Sequence, residues 1–148
     1  MARILIDSNV LVYAYDRREH TKQRQAIRVL EQLQLTGAGC LSVKCLAEFF
    51  RAVRRGAQPL LPLDVATEQL TALAHAWPVY NLSPLIVIEA ARGVKAHRLD
   101  FWDAQIWASA RLNQVPVIFS EDFARNATLD GVRIINPFAA DFDLAGWA

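Results

Sequence analysis

Four acids, Asp7, Glu48, Asp103 and Asp122, are the residues with which this sequence can do chemistry. Two of them close apolar runs. Ile4-Leu5-Ile6 leads into Asp7-Ser8-Asn9, and Val115-Pro116-Val117-Ile118-Phe119 leads into Ser120-Glu121-Asp122. The other two fall early in predicted helices, Glu48 beside an apolar stripe and Asp103 within an apolar first turn. Gathering carboxylates is unfavourable. Two unit charges ~4 Å apart repel by about 4 kcal/mol at an effective dielectric of roughly 20. A group of acids therefore takes up protons or binds a hard cation. Oxygen-only donors suit Mg2+ or Mn2+, and such an ion is the usual equipment for phosphodiester hydrolysis. Each acid also has a plainer reading by itself. Asp7 can end a strand in a turn, Glu48 can sit as a favourable charge near a helix N-terminus, and Asp103 can serve as a capping-box acid.

What must position these acids is an alternation of short apolar strands and helices. Ile4–Ile6 reads as a buried parallel strand, followed by a short helix for which Ser8 or Asn9 is the cap. Residues 21–35 read as a helix with Thr21 as N-cap and Ala26, Val29, Leu30 and Leu33 on one stripe. Thr36-Gly37-Ala38-Gly39 ends it, and residues 40–43 form a second strand. The next helix runs to about Arg55, with Leu46, Phe49, Phe50 and Val53 facing inward and Glu48 beside them. Asp64 caps another helix, and residues 79–82 are a short strand or extended link. Ser83-Pro84 starts a further helix to about Val94. Asp100 caps the helix that carries Asp103, predicted to end near Leu112 and apolar nearly all round, hence central. Residues 131–136 form a last strand. The alternation predicts one α/β domain over residues 1–148, a largely parallel sheet between helices, with the strand ends gathered on one edge.

Composition narrows the function classes. The chain has 148 residues, 53% of them hydrophobic and 21% charged, which suits one folded domain and excludes a disordered chain. Its apolar runs are too short to span a bilayer, and Asp7 and Asn9 interrupt the only one near the start. The expected location is the cytoplasm, with no membrane partner. Cys40 and Cys45 lack zinc-site spacing and read as reduced core residues, while His20, His75 and His97 form no HExxH pattern. Net charge is +1 but uneven: residues 1–60 hold ten Lys/Arg against five Asp/Glu, and residues 61–148 hold six against ten. The basic half offers a surface for a polyanion, against the simpler reading of a solvated helix face.

The motifs carry a resemblance. Ile6-Asp7-Ser8-Asn9-Val10-Leu11, Leu46-Ala47-Glu48-Phe49, Phe101-Trp102-Asp103-Ala104, Phe119-Ser120-Glu121-Asp122-Phe123 and Gly131-Val132-Arg133-Ile134-Ile135-Asn136-Pro137-Phe138 occur in an order that resembles the PIN-domain family. Within that family the chain is similar to VapC-type toxin ribonucleases of toxin–antitoxin pairs. The resemblance implies a PIN-like α/β/α sandwich and an Mg2+-dependent endoribonuclease, with Mn2+ as a possible substitute, in which a metal-activated water attacks the phosphorus. Carried over by position, Asp7, Glu48 and Asp103 match the core acids, Asp122 the fourth and more variable one, and Asp7, Asp103 and Asp122 are the expected metal ligands. Ser120 and Asn9 match supporting polar residues. Glu121 is an alternative fourth acid, and Asp100 stands where a Ser is common. Arg17, Arg18, Lys22, Arg51, Arg54 and Arg55 are candidates for contact with the RNA backbone. A cognate antitoxin and homodimerisation are implied as well.

Two other readings compete. Another metal-dependent phosphohydrolase on a similar sheet is one. A haloacid-dehalogenase-type phosphatase needs a second Asp two residues after the first, where Asn9 stands, and no glycine-rich phosphate loop is present. A catalytically silent RNA- or protein-binding domain on the same fold is the other, since fold alone does not confer activity.

Overall fold

The structure is a computed structural model and describes residues 2–123 and 126–147. The elements follow in chain order as β1 (Ile4–Ile6), α1 (Ser8–Tyr13), α2 (His20–Thr36), β2 (Gly39–Ser42), α3 (Val43–Val53), α4 (Leu63–Ala76), β3 (Val79–Tyr80), α5 (Pro84–His97), α6 (Phe101–Leu112), β4 (Val117–Phe119), β5 (Thr128–Leu129) and β6 (Val132–Ile135). A 3-10 turn at Leu144–Trp147 closes the chain. The strands form one sheet in the order β3-β2-β1-β4-β6-β5, parallel throughout except for the antiparallel β5–β6 pair.

This order sets the location of the site. From β1 the chain winds outward through β2 and β3, then crosses back to β4 on the other side of β1. The β1–β4 gap is therefore the point where the winding reverses, and the crevice beyond the carboxyl ends of two such strands is where open α/β sheets bind ligands. In register, Ile6 pairs with Phe119, so the residues that follow, Asp7 and Ser120, emerge side by side. The Asp7 amide still donates to the Phe119 carbonyl at 3.0 Å, which holds the two strand ends together.

Burial explains why the strands need no polar face. Successive side chains point to opposite sides. Ile4 and Ile6 enter a core with Val10, Leu11, Val29 and Phe49, while Leu5 enters a second core with Trp107, Ile118 and Ile134. Helices thus cover both faces, as the α/β/α expectation requires. In α6, residues 104–110 are all buried, but Phe101 and Trp102 in its first turn are exposed, so the helix is central only beyond that turn. Cys40 and Cys45 are buried and free.

Several local expectations change. The helix expected from Thr21 begins at His20, with Glu19 at the cap position and no side-chain cap bond. Asp64 lies inside α4, which starts from Pro62 instead. The fifth helix, α5, runs past Val94 to His97 and stops where Arg98 turns left-handed, at φ 55°. The two-residue β5 is too short to leave a pattern in sequence.

The tightest helix contact gives a direct test. A Cβ at Gly93 would lie 2.5 Å from Cζ3 of Trp107. Trp107 is fully buried, and its indole donates to the Leu129 carbonyl at 3.0 Å, so the ring has little room to yield. Helix propensity favours Ala over Gly by about 1 kcal/mol, but overpacking costs typically about 1–3 kcal/mol. Gly93→Ala is expected to lower stability in urea denaturation, and an increase would contradict this packing of α5 on α6.

Candidate active site

Asp7 stands at the carboxyl end of β1 and does two things at once. Its Oδ1 accepts from the Ser8 amide at 2.7 Å, which makes Asp7 the N-cap of α1 in place of Ser8 or Asn9. Its Oδ2 accepts from the Ser120 hydroxyl at 2.7 Å. Asn9, relieved of capping, bridges the two strand ends. Its Nδ2 lies 3.3 Å from Asp7 Oδ2, 3.1 Å from Ser120 Oγ and 3.1 Å from Asp122 Oδ2, and its Oδ1 accepts from the Glu121 amide at 3.3 Å. The Ser120 hydroxyl in turn accepts from the Asp122 amide at 3.1 Å. Asp7 and Asp122 thus share one amide nitrogen.

Glu121 and Asp122 separate here. The Glu121 carboxylate accepts from the Tyr13 hydroxyl at 2.7 Å and pairs with Lys22 Nζ at 2.7 Å, and both contacts commit it to α1 and α2. Asp122 is the acid beside Asp7. Glu48 approaches from α3, whose start is fixed by the Ser42 hydroxyl accepting from the Cys45 amide at 3.2 Å. Asp103 approaches from α6, where Asp100 is the N-cap and accepts from the Trp102 amide at 2.9 Å. Asp100 thereby sets the first turn that carries Asp103.

The electrostatics join these acids. Asp7 is only 3% exposed, and burial raises its pKa to about 7, with the fields of Glu48 and Asp122 adding and the Ser120 and Ser8 hydrogen bonds opposing. Burial likewise raises Asp103 to about 6, with Asp100, Asp122 and Glu48 adding to the shift and Lys44 opposing it. Glu48 and Asp122 therefore bear on both Asp7 and Asp103, and the four acids predicted from sequence occupy one field.

That field already contains a cation. Lys44 Nζ pairs with Glu48 Oε2 at 2.8 Å, and the lysine side chain is only 8% exposed. The ammonium lies 5.3 Å from the centroid of the Trp102 ring. The sequence reading missed Lys44, although its spacing four residues before Glu48 on one helix is a usable signal. Among the described residues no three His, Cys, Asp or Glu side chains meet closely enough to hold a metal ion. The expected trio Asp7, Asp103 and Asp122 shares a field but does not close into a ligand set in this conformation. The Asn9 amide lies against Asp7 and Asp122, and the Lys44 ammonium engages Glu48. The donors are nonetheless oxygens whose mutual repulsion a hard cation would relieve, so the residue set fits a divalent ion in its chemistry.

The basic residues divide. Arg51 lines a groove that Glu48, Lys44 and Trp102 also line. Arg54 donates to the Leu61 carbonyl at 2.8 Å and so secures the end of α3. Arg18 pairs with Asp16 at 3.0 Å, and Lys22 is held by Glu121. Arg17 and Arg55 are exposed.

The PIN-domain family profile matches residues 4–128. A toxin–antitoxin complex from Klebsiella pneumoniae contains a chain 20% identical, with a TM-score of 0.66 and coverage of 90% of this chain and 97% of that one. VapC20 of Mycobacterium tuberculosis, described as a sarcin–ricin loop cleaving toxin, is 18% identical, with a TM-score of 0.61 and coverage of 88% and 98%. DNA-bound VapBC from Salmonella typhimurium gives 17% identity, a TM-score of 0.64 and coverage of 90% and 97%. At such identities the likeness is one of fold. No curated protein matches the sequence.

Proposed function

The chain belongs to the PIN-domain family, and from that premise we propose that it is an Mg2+-dependent endoribonuclease, the toxin of a type II toxin–antitoxin pair. The observation that carries the reading is the buried Asp7 at the reversal point of the sheet, sharing one electrostatic field with Glu48, Asp103 and Asp122. Asp7, Asp103 and Asp122 are the residues that would hold the ion, with Glu48 completing the acidic group. Mg2+, or Mn2+ in its place, would supply charge neutralisation at the phosphate and water activation for hydrolysis.

The remaining work falls to the chain's own groups. Ser120 and Asn9 fix the carboxylates of Asp7 and Asp122 at the edge of the sheet. Asp100 fixes the turn that presents Asp103. Arg51, on the groove beside Glu48, is placed to meet the RNA backbone, and the exposed Arg17 and Arg55 extend the basic surface. The structural neighbours that are toxin–antitoxin complexes support an antitoxin partner for this chain. Leu85 and Ile88 on α5 are exposed apolar residues of the kind a homodimer or antitoxin contact covers. Among the described residues no helix is long and apolar enough to cross a membrane.

A silent RNA-binding PIN domain is the second reading, favoured by one observation: Glu48 is already engaged by the Lys44 ammonium. One assay separates the two. The purified chain is expected to cut single-stranded RNA with Mg2+, to stop in excess EDTA, and to lose cleavage in Asp103→Asn with its circular dichroism unchanged. Full cleavage by Asp103→Asn, or in EDTA, overturns the metal-nuclease reading. RNA binding without cleavage under every divalent ion supports the silent domain.

A further inference from the structure

The groove beside the acids holds a feature the proposed chemistry leaves unused. It measures about 390 Å³, and its lining includes Lys44, Glu48, Arg51, Leu82, Trp102 and Gln105. Trp102 is 60% exposed, unusual for a large aromatic on a helix otherwise buried from Ala104 to Ala110. Gln105 is the opposite case. It is only 5% exposed, yet its side-chain amide makes no hydrogen bond among the described residues, while its backbone carbonyl accepts from the Ser109 hydroxyl at 2.8 Å. Among the described residues no fully buried side-chain nitrogen or oxygen lacks a partner, so the unpaired Gln105 amide is open to solvent, and the residue lines the groove.

Resting on the ribonuclease reading, we propose that this groove is a nucleobase subsite, in which an unpaired base of the RNA stacks on Trp102 and is read along its edge by Gln105. Indole faces take any base by stacking, so Trp102 supplies affinity. A Gln amide presents one donor and one acceptor side by side, a pattern that meets the exposed edge of an unpaired base: the amino group and ring nitrogen of adenine or cytosine, or the N–H and carbonyl of uracil. Gln105 therefore supplies edge hydrogen bonds to any of these bases, and a purine, with the larger face to lay on Trp102, is the base the groove favours. Charge agrees with this occupant. Lys44 and Arg51 line the same groove, where the flanking phosphates would run, and Glu48 joins the groove to the acids that would act on the next phosphodiester.

The test measures binding of fluorescein-labelled hexanucleotides rA6, rC6 and rU6 with Ca2+ in place of Mg2+, to the wild-type chain and to three variants. Wild type is expected to bind rA6 about threefold more tightly than rC6 or rU6, the purine having the larger stacking face. Trp102→Ala is expected to weaken all three by about tenfold or more, and Trp102→Phe to recover most of the loss. Gln105→Leu should weaken all three by about threefold, through lost edge hydrogen bonds, and keep their order. Because Trp102 is exposed, its truncation does not threaten the core. Unchanged binding in both Trp102→Ala and Gln105→Leu, with Mg2+-dependent cleavage by the wild-type chain intact, overturns the subsite alone. Loss of self-association in Trp102→Ala with RNA binding unchanged makes the groove a protein contact and also overturns it. No oligonucleotide binding by the wild-type chain overturns the subsite and the ribonuclease reading together.

Discussion

Asp7→Asn is expected to abolish RNA cleavage and, in the same molecule, to raise the melting temperature of the metal-free protein above pH 7. The two effects have one cause. Burial lifts the Asp7 carboxyl from 3.8 to about 7. A carboxyl whose folded pKa exceeds its unfolded value contributes stability that is fully present below about pH 4 and is lost as pH rises through about 7. Above that pH the wild-type chain carries a buried, poorly solvated charge beside Glu48 and Asp122. Asn imitates the protonated acid and removes the penalty. The shift would correspond to roughly 4 kcal/mol at most. Because Asn must rearrange the hydrogen bonds now made by Ser120 and Asn9, about 1–3 kcal/mol is the expected gain. Cleavage falls by about a thousandfold, since an Asn oxygen lacks the charge that holds a divalent ion. Thermal melts in EDTA from pH 5 to 8 check the first part and a single-turnover assay checks the second. A variant less stable than wild type at pH 8 contradicts the burial argument, and a fully active one contradicts the site.

Lys44→Met is expected to act in the opposite direction on the empty protein. The lysine is the internal cation of the acidic field, paired with Glu48 and lowering the pKa of Asp103. Glu48 is partly exposed, so breaking the pair costs less than the 3–5 kcal/mol of a fully buried one, about 1–2 kcal/mol in EDTA. With the ammonium gone, a divalent ion meets one like charge fewer. At an effective dielectric of roughly 20, this tightens ion binding on the order of tenfold after screening. Mn2+ titration followed by electron paramagnetic resonance reads the affinity directly. Weaker Mn2+ binding in Lys44→Met would mean that the lysine positions Glu48 for the ion and does not compete with it.

Much of this arrangement was legible in the sequence, for physical reasons that differ by residue. Asp7 was legible because three apolar residues run directly into it, which only a buried strand end explains well. Asp103 was legible because a carboxylate in an apolar first turn needs compensation and Asp100 already serves as cap. The division between Glu121 and Asp122 was not. Neighbouring residues point apart, and the contacts that turn Glu121 away come from Tyr13 and Lys22, more than 95 residues earlier in the chain. Asn9 reads locally as a helix cap, and its bridging role exists only because β1 and β4 are neighbours. Trp102 is one of the residues that make α6 apolar nearly all round, because a helical pattern treats every aromatic alike. Its exposure is set by where the first turn of α6 projects past the sheet edge, which no periodicity encodes.

In the proposed nuclease, acids from β1, α3, α6 and the end of β4 act together on one divalent ion. A crystal of the wild-type chain soaked in Mn2+, with anomalous diffraction collected at the manganese edge, tests it most directly. An anomalous peak is expected within coordination distance of the Asp7 and Asp103 carboxylates, with Asp122 on the same ion directly or through water, and with the Lys44–Glu48 pair opened. Strong Mn2+ peaks elsewhere, with these acids still bound only to Asn9, Ser120 and Lys44, would contradict it.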